Sequence, residues 1–255
     1  MSKNRNAVPL LMYHKVGLPV HTRGDRFLNV SSADFQRQIR FMLQLGYQAR
    51  SFSEIIDAQT RKKSLPRRTF GVTFDDGYAC VGEFAAPILR DFKVAATVFV
   101  VPRGIGRTNE WDIETGYPIL PLMDWKKLDE LRATGWEIGG HTMTHPHLDA
   151  LNDEAALRDI VDGKREIEAH IGQEIHTFCY PFGHFNSRTP ELALRAGFTG
   201  ACTTRAGLVK SGGNAMLTPR IKIAYRDGVF GMLYRMLARP NLPDFRPKRR
   251  DAIHV

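Results

Sequence analysis

Short apolar runs recur along the whole chain, and the stretches between them space their apolar residues as helices do. Strands that alternate with helices in this way are typical of βαβ units, in which neighbouring strands pair in parallel. The pattern therefore predicts an α/β protein built on a parallel sheet. The apolar runs are VPLLMYH (8–14), TFGVTF (69–74), AATVFVV (95–101), WEIGG (136–140), IHTFCYP (175–181), FTGACTT (198–204) and LTPRIKI (217–223).

The stretches between the runs carry start and stop signals for helices. Ser31 is followed three residues later by Asp34, which together are typical of a helix start. A longer apolar stripe opens near Asn152 and stops at Gly172, and a shorter helix stops before Gly197. The predicted helices cover residues 35–43, 157–171, about 187–195 and 228–240.

Seven or eight such units would close into a barrel resembling a TIM barrel, whose functional sites lie at the carboxyl ends of the strands. No linker rich in Pro, Gly or Ser divides the chain. We therefore predict one barrel domain over residues 1–240, followed by a basic tail over residues 241–255. Residues 102–121 form a predicted long loop, and long loops often cover functional sites.

The formal net charge is +9, and much of it comes from basic clusters at 61–68 and 246–250. A basic surface can attract nucleic acid, anionic lipid or an acidic polymer. No nucleic-acid-binding signature accompanies the charge, so we predict no nucleic-acid partner. The apolar helix 228–240 beside the basic tail also resembles an interfacial helix. We favour a core helix of the barrel there over peripheral membrane contact.

The cysteines and the N-terminus indicate the compartment. Cys80, Cys179 and Cys202 are odd in number and widely spaced, which argues against a disulfide framework or a structural zinc knuckle. We expect buried free thiols in a reducing compartment. The N-terminal apolar run reaches Tyr13 and His14 too soon for the core of a signal peptide, and no cleavage site follows. These features predict a cytoplasmic protein.

Two groups of side chains could carry chemistry. Asp75 and Asp76 directly follow a predicted strand and precede Gly77, although Asp-Gly is also a common turn dipeptide. His141 and His145 follow another predicted strand, although surface histidines at this spacing are common. A parallel barrel would bring both pairs to the same end. One carboxylate and two imidazoles make a catalytic zinc set, and the second carboxylate would remain free to accept a proton.

These segments resemble the signature motifs of a known family. TFDDGY, HTMTH and YPFG are similar to the motifs of polysaccharide deacetylases, the NodB-homology or carbohydrate esterase family 4 fold. LMYHKV and FLNVSSADFQRQIRFMLQLGY resemble the branch that contains poly-N-acetylglucosamine deacetylases of biofilm matrices. The resemblance extends over residues 8–223 and implies a distorted (β/α)7 barrel. It also implies one divalent ion, with zinc expected and Co²⁺ or Ni²⁺ as alternatives.

The resemblance also implies roles for individual residues. Asp75 matches the catalytic base of the family, and Asp76, His141 and His145 match its metal ligands. Tyr180 matches the tyrosine whose backbone N–H helps to hold the oxyanion. These roles are expectations for the site at the carboxyl end of the barrel.

Two positions depart from the family pattern. Cys179 stands where the third motif usually carries an arginine that orients the base, and residues 217–219 lack the histidine that usually serves as general acid. We predict that Arg220 supplies the missing cation. We predict that His14 replaces the missing acid, since the biofilm branch looks permuted in this way, with a satisfied core histidine as the alternative.

Two further histidines follow the signature motifs. His184 comes directly after YPFG and is the competing candidate for the general acid. His147 lies beyond Pro146 and is interpreted as structural.

The predicted function is that of a metal-dependent N-deacetylase acting on an N-acetylated amino sugar of a polysaccharide or glycan precursor. A cytoplasmic enzyme would meet a lipid-linked or nucleotide-linked precursor. The alternatives on the same fold are an O-acetyl esterase and a hydrolase of small amides. A non-catalytic carbohydrate-binding protein is the alternative from another class, and the two departures support it.

Overall fold

The apolar runs form parallel strands of one sheet. The computed structural model of the protein describes residues 7–20, 25–60 and 67–237. In chain order, the strands of this part are β1 (Leu10–Tyr13), β2 (Lys15–Val16), β3 (Asn29–Val30), β4 (Gln48–Ala49), β5 (Thr69–Phe74), β6 (Thr97–Val100), β7 (Glu137–Gly140), β8 (Thr177–Cys179), β9 (Gly200–Ala206) and β10 (Thr218–Lys222).

Strands β1 and β5 to β10 pair in parallel and close into a barrel. β1 lies between β5 and β10 and pairs with both, so the first and last of the described strands are neighbours. β4 pairs with the beginning of β5, and β2 and β3 form a separate short parallel ribbon. The predicted (β/α)7 barrel is confirmed.

Helices cover the outside of the barrel. The predicted start of α1 is confirmed, because the Ser31 hydroxyl oxygen accepts the backbone N–H of Asp34 at 3.0 Å. Asn152 caps α5 in the same way, and Gly172 ends that helix in a left-handed conformation (φ 68°). The helices are α1 (Ser32–Gln44), α2 (Phe52–Thr60), α3 (Ala86–Asp91), α4 (Trp125–Ala133), α5 (Asp153–Ile171), α6 (Thr189–Arg195) and α7 (Val229–Leu237).

A partly buried carboxylate ties the elements together at the amino end of the barrel. Glu137, the first residue of β7, accepts hydrogen bonds from the hydroxyls of Thr97 in β6 and Thr177 in β8, at 2.8 and 2.6 Å. It also accepts the backbone N–H of Ser53 in α2 at 3.0 Å. These three bonds join two neighbouring strands and a helix to β7, on the side of the barrel opposite the carboxyl ends of the strands.

α7 is only partly a core helix. Met232 and Met236 are buried, whereas Phe230 and Leu237 are 87% and 77% exposed. The basic cluster at 246–250, the tail 241–255 and most of the cluster at 61–68 lie outside the described residues. In the part of the chain that the structure describes, the helices are too short or too polar to cross a membrane.

Candidate metal and catalytic site

The two neighbouring carboxylates lie where β5 ends. The chain turns directly after Phe74, and both Asp76 (φ 70°) and Gly77 (φ 76°) adopt left-handed backbone conformations. A left-handed conformation is costly for a residue with a β-carbon, and such strain concentrates at functional sites. Both carboxylates are buried, Asp75 at 2% and Asp76 at 6% exposure. The predicted end of the strand at this turn is confirmed.

Asp76, His141 and His145 bring one ligand atom each to a common point. Asp76 Oδ1 lies 3.2 Å from His141 Nε2 and 3.3 Å from His145 Nε2, and the two Nε2 atoms are 3.2 Å apart. Bonds of about 2.0–2.1 Å to a tetrahedral ion would place such ligand atoms about 3.3 Å apart. The three side chains therefore fit a divalent metal ion without rearrangement. They form a candidate metal site.

Neighbouring groups orient both imidazoles. His141 Nδ1 lies 2.6 Å from the carbonyl oxygen of Cys179, which can only accept a hydrogen bond, so Nδ1 carries a proton and Nε2 is the nitrogen directed at Asp76. Trp111 stacks on the ring of His145 at 4.6 Å, and Phe182 approaches the same ring edge-on at 4.4 Å. Among the described residues, the buried Nδ1 of His145 has no hydrogen-bond partner.

The ionisation of Asp76 suits a metal ligand. Burial alone would raise the pKa of Asp76, but hydrogen bonds to His141 and His145 outweigh it and hold the pKa well below its usual value. The carboxylate is therefore negatively charged at neutral pH, as metal binding requires.

The loop that carries the two histidines is fixed to α5. Asp159 accepts the backbone N–H groups of Met143 and Thr144 at 2.8 and 3.1 Å, and the hydroxyl of Thr144 at 2.7 Å. Gly163, one turn further along the helix, packs against the backbone of the loop at Thr142. The loop is thereby held by a helix as well as by one hydrogen bond of its own, from the His145 N–H to the Thr142 hydroxyl oxygen.

Arg220 reaches across the barrel from β10 to Asp75. Its two terminal nitrogens each donate to one oxygen of Asp75 at 2.7 Å, and Nε donates to the carbonyl of Thr203 at 3.0 Å. The same guanidinium lies 3.3 Å from the Sγ of Cys179. Burial alone would raise the pKa of Asp75, but the charge of Arg220 outweighs it and keeps the pKa below its usual value.

This contact bears on the first departure from the family motif. The cation predicted at Arg220 lies against Asp75, the predicted base, and also contacts Cys179, the residue that stands in place of the usual arginine. A small side chain at position 179 leaves room for a guanidinium that arrives from another strand.

His14 also lies beside Asp75. Its Nε2 is 3.7 Å from Asp75 Oδ2, and its side chain is 13% exposed. Burial lowers the pKa of His14 to about 4, against the opposing influence of the Asp75 and Asp76 carboxylates. The imidazole is therefore neutral near pH 7.

His184, the competing candidate, lies elsewhere on the rim. Its Nδ1 faces the Nδ1 of His147 at 3.1 Å, and His147 in turn stacks on Phe182 at 4.1 Å. Of the two histidines considered for the general acid, His14 is the one in contact with Asp75.

Tyr180 begins the turn that follows β8, in the predicted region. Its backbone N–H donates a long hydrogen bond of 3.3 Å to the carbonyl of Cys202, and its hydroxyl donates to the carbonyl of Met216 at 2.9 Å. The N–H is thus engaged with β9, and the oxyanion role of Tyr180 stays a prediction.

Trp111, Phe182 and Asp159 were not among the predicted site residues. Trp111 lies in the long loop 102–121, which was expected to cover a site, and Phe182 is part of the YPFG motif. The sequence therefore indicated that Trp111 and Phe182 could lie at the site. Asp159 is one polar residue on a predicted helix, and nothing in the local pattern distinguishes it.

Comparison with known proteins places this geometry in context. The sequence model of a family described as polysaccharide deacetylase matches residues 62–201. The chain is 24% identical over 205 residues to a poly-beta-1,6-N-acetyl-D-glucosamine N-deacetylase of Staphylococcus aureus (strain MRSA252), a match that covers 77% of this chain and 68% of the relative.

Solved structures show the same architecture. The Streptococcus pyogenes deacetylase PplD in complex with acetate superposes with a TM-score of 0.77 at 24% identity, over 90% of this chain and 98% of that one. The structure of IcaB from Ammonifex degensii gives a TM-score of 0.77 at 24% identity, over 90% and 97% of the two chains. At these identities, the comparison establishes a shared fold.

Proposed function

The chain belongs to the polysaccharide deacetylase family, and from this premise we propose that it hydrolyses the acetamide of N-acetylated amino sugars in a polysaccharide or glycan precursor. The name of the Staphylococcus aureus relative supports this substrate class. The observation that carries the proposal is that two adjacent carboxylates contact different groups. Asp76 points its oxygen at two imidazoles, and Asp75 is bound by a guanidinium.

Asp76, His141 and His145 would hold the metal. Two nitrogens and one carboxylate oxygen suit zinc, and Co²⁺ and Ni²⁺ accept the same donors. When bound, such an ion would polarise the amide carbonyl and acidify the attacking water.

Asp75 is proposed to accept the proton of that water. A base has to be unprotonated before the reaction, and Arg220 keeps Asp75 so. The bidentate contact also fixes the direction of the carboxylate, which supports its role as a positioned base. Arg220 is therefore proposed as a positioning residue.

His14 is proposed to protonate the departing amine. An amine is too basic a leaving group to depart without a proton, so cleavage of the C–N bond needs a donor near the nitrogen. Because His14 is neutral near pH 7, the proton that it delivers is proposed to come from Asp75, 3.7 Å away, after that carboxylate has taken it from water. The N–H of Tyr180 is proposed to support the oxyanion by exchanging its long bond to Cys202 for one to the substrate.

The proposal is tested by the release of acetate and free amine from a panel of N-acetylated and O-acetylated sugars. We expect N-acetylated amino sugars to react, chelator to abolish the reaction, and Zn²⁺ or Co²⁺ to restore it. Undiminished turnover in metal-free protein would refute the metal-dependent mechanism. Reaction of the O-acetylated sugars alone would replace the amidase by an esterase, and binding without release of acetate would favour a carbohydrate-binding protein.

A further inference from the structure

A second cluster of metal-binding side chains lies on the rim of the barrel. His147 and Asp149 belong to the loop between β7 and α5, and His184 follows the turn after β8. These two loops leave neighbouring parallel strands at their carboxyl ends, so their side chains meet beside the candidate metal site. None of the three residues is needed to hold the ion at Asp76, His141 and His145.

The atoms of this cluster have nearly the spacing of metal ligands. The Nδ1 atoms of His147 and His184 are 3.1 Å apart, and His184 Nδ1 lies 3.9 Å from Asp149 Oδ1. Ligand atoms about 3.3 Å apart would suit a tetrahedral ion. The two imidazoles already meet that spacing, and the side chain of Asp149, which is 32% exposed, has room for the remaining shift.

The way in which the two rings face each other also favours a cation. The Nδ1 atoms lie 3.1 Å apart, so the Nδ1 lone pairs of two neutral imidazoles can point at a common position between the rings. A metal ion accepts both lone pairs at once, and each ring can then keep its proton on Nε2. The nearby carboxylate of Asp149 balances part of the added charge.

Stacking holds one of the two rings in place. His147 lies flat against Phe182, with ring centres 4.1 Å apart and planes 14° from parallel. Phe182 has a left-handed backbone (φ 57°) and contacts His145 with its edge. One aromatic ring therefore separates the two clusters and restrains a histidine of each.

We propose that His147, Asp149 and His184 bind a second divalent ion of the nitrogen-preferring kind, such as Zn²⁺, Co²⁺ or Ni²⁺. Two imidazoles and one carboxylate leave coordination positions open, so the ion can take water or an oxygen of a bound molecule. This site is distinct from the candidate catalytic site and does not depend on the reaction proposed above.

The proposal is tested by counting the metal ions bound per chain. Full-length protein is stripped with chelator, dialysed against Co²⁺, and analysed for bound cobalt per chain and for the visible absorption of the bound ion. We expect two ions per chain in the wild type, one in the double variant His147→Asn/His184→Asn, and one in the variant His141→Asn/His145→Asn. The exposed His176, at the other end of β8, serves as control, and His176→Asn should still bind two.

The proposal would be overturned by one ion per chain in the wild type, or by two in the His147→Asn/His184→Asn variant. Circular dichroism establishes that each variant is folded. Should the double variant unfold, the single variant His184→Gln gives the same comparison, because it removes one nitrogen ligand from a partly exposed position. A wild type that holds two ions but releases no acetate would leave this site standing and refute the proposed function alone.

Discussion

Asp75 and Asp76 are adjacent in one turn, but their carboxylates contact different kinds of side chain. Asp75 lies against a permanent cation, Arg220, which no change of pH near neutrality can remove. Asp76 lies against two imidazoles, which are neutral donors to a metal once their Nε2 atoms are unprotonated. The turn at Gly77 makes this possible, because successive residues of a continuing strand would point to opposite faces. At the residue scale, function therefore depends on which partner each carboxylate meets.

The first prediction separates the two carboxylates. Asp75→Asn should keep the metal and lose about two to four orders of magnitude in rate, the usual effect of removing a general base. Asp76→Asn should bind the metal more weakly as well, because the amide oxygen is a poorer ligand than a carboxylate. Bound metal and rate are measured on each variant after its fold has been checked. Equal metal content and equal rates in the two variants would contradict the assignment.

The second prediction concerns His14. His14→Ala should keep the metal and lose about two to four orders of magnitude in amide hydrolysis. It should lose much less on an activated acetyl ester, whose leaving group departs without a proton. The ratio of the two rates is the measurement, and His176→Ala, a change at an exposed histidine at the other end of the barrel, is the control. Normal amide turnover in His14→Ala would transfer the role to His184.

At the element scale, α5 acts as the support of the metal-binding loop. The loop between His141 and His145 contains left-handed residues at Thr142 (φ 65°) and His145 (φ 61°) and would be strained alone. Asp159 bonds its backbone, and Gly163 lets the helix axis approach closely. The position of the two imidazoles thus depends on a helix that contributes no ligand.

The third prediction tests this support. Alanine usually stabilises a helix interior relative to glycine by about 1 kcal/mol. At Gly163, however, a β-carbon would lie 2.5 Å from the carbonyl carbon of Thr142 and 2.7 Å from the nitrogen of Met143. Such overpacking costs about 1–3 kcal/mol, so Gly163→Ala should be less stable and bind metal more weakly. Urea unfolding and metal titration measure both effects.

The neighbouring exposed residue supplies the control for that experiment. Asp162→Ala changes the helix surface without touching the loop and should leave metal affinity unaltered. A Gly163→Ala protein that is more stable than the wild type, with unchanged metal affinity, would show that the loop does not depend on this contact.

The elements were predictable to different degrees. β5 was predicted at its observed limits, and the caps of α1 and α5 follow from Ser31 and Asn152, because apolar runs and capping side chains act locally. The ribbon of β2 and β3 was not predicted, since strands of two residues carry no periodic pattern. The prediction that α7 is a core helix holds for one face only. Its two methionines enter the core, whereas Phe230 on the other face is exposed.

Predicting the site required the family resemblance as well as the pattern of apolar and polar residues. Local sequence placed the aspartate and histidine pairs after strands, and topology predicted that they would meet. The contact between Arg220 and Asp75 spans 145 residues, and only the barrel reveals its geometry. The roles of all the predicted site residues, His14 and Tyr180 included, remain predictions, as do the cytoplasmic location and the preference for a core helix over peripheral membrane contact.

At the scale of the whole molecule, the two ends of the barrel have different roles. The carboxyl end gathers the candidate site, and at the amino end the partly buried Glu137 joins two strands and a helix through three hydrogen bonds. Burial raises the pKa of Glu137 above its ordinary value, against the hydrogen bonds that favour its charged form. The structure therefore holds a proton there more tightly than the unfolded chain does.

The fourth prediction follows from that difference. A raised pKa in the folded state means that Glu137 contributes most to stability below about pH 4, the ordinary range of a glutamate, and that this contribution is lost as pH rises through the raised pKa. Glu137→Gln cannot titrate, so its stability relative to the wild type should increase with pH over that window. Urea unfolding across a pH series measures this, with the exposed Glu174→Gln as control. A difference that is constant with pH would contradict the prediction.

The closure of the barrel between β1 and β10 has a consequence for biosynthesis. β1 emerges from the ribosome long before β10, so one edge of β1 can pair early with β5 but the other edge stays unpaired until β10 has been made. Asp75 also emerges long before Arg220, and an ionised carboxylate is not stable in a dry interior without its counter-charge. A nascent chain that stops before β10 can therefore neither close the ring nor hold Asp75 inside it. Prematurely terminated products should lack a complete site, so that this chemistry appears in the cell only once β10 has been made.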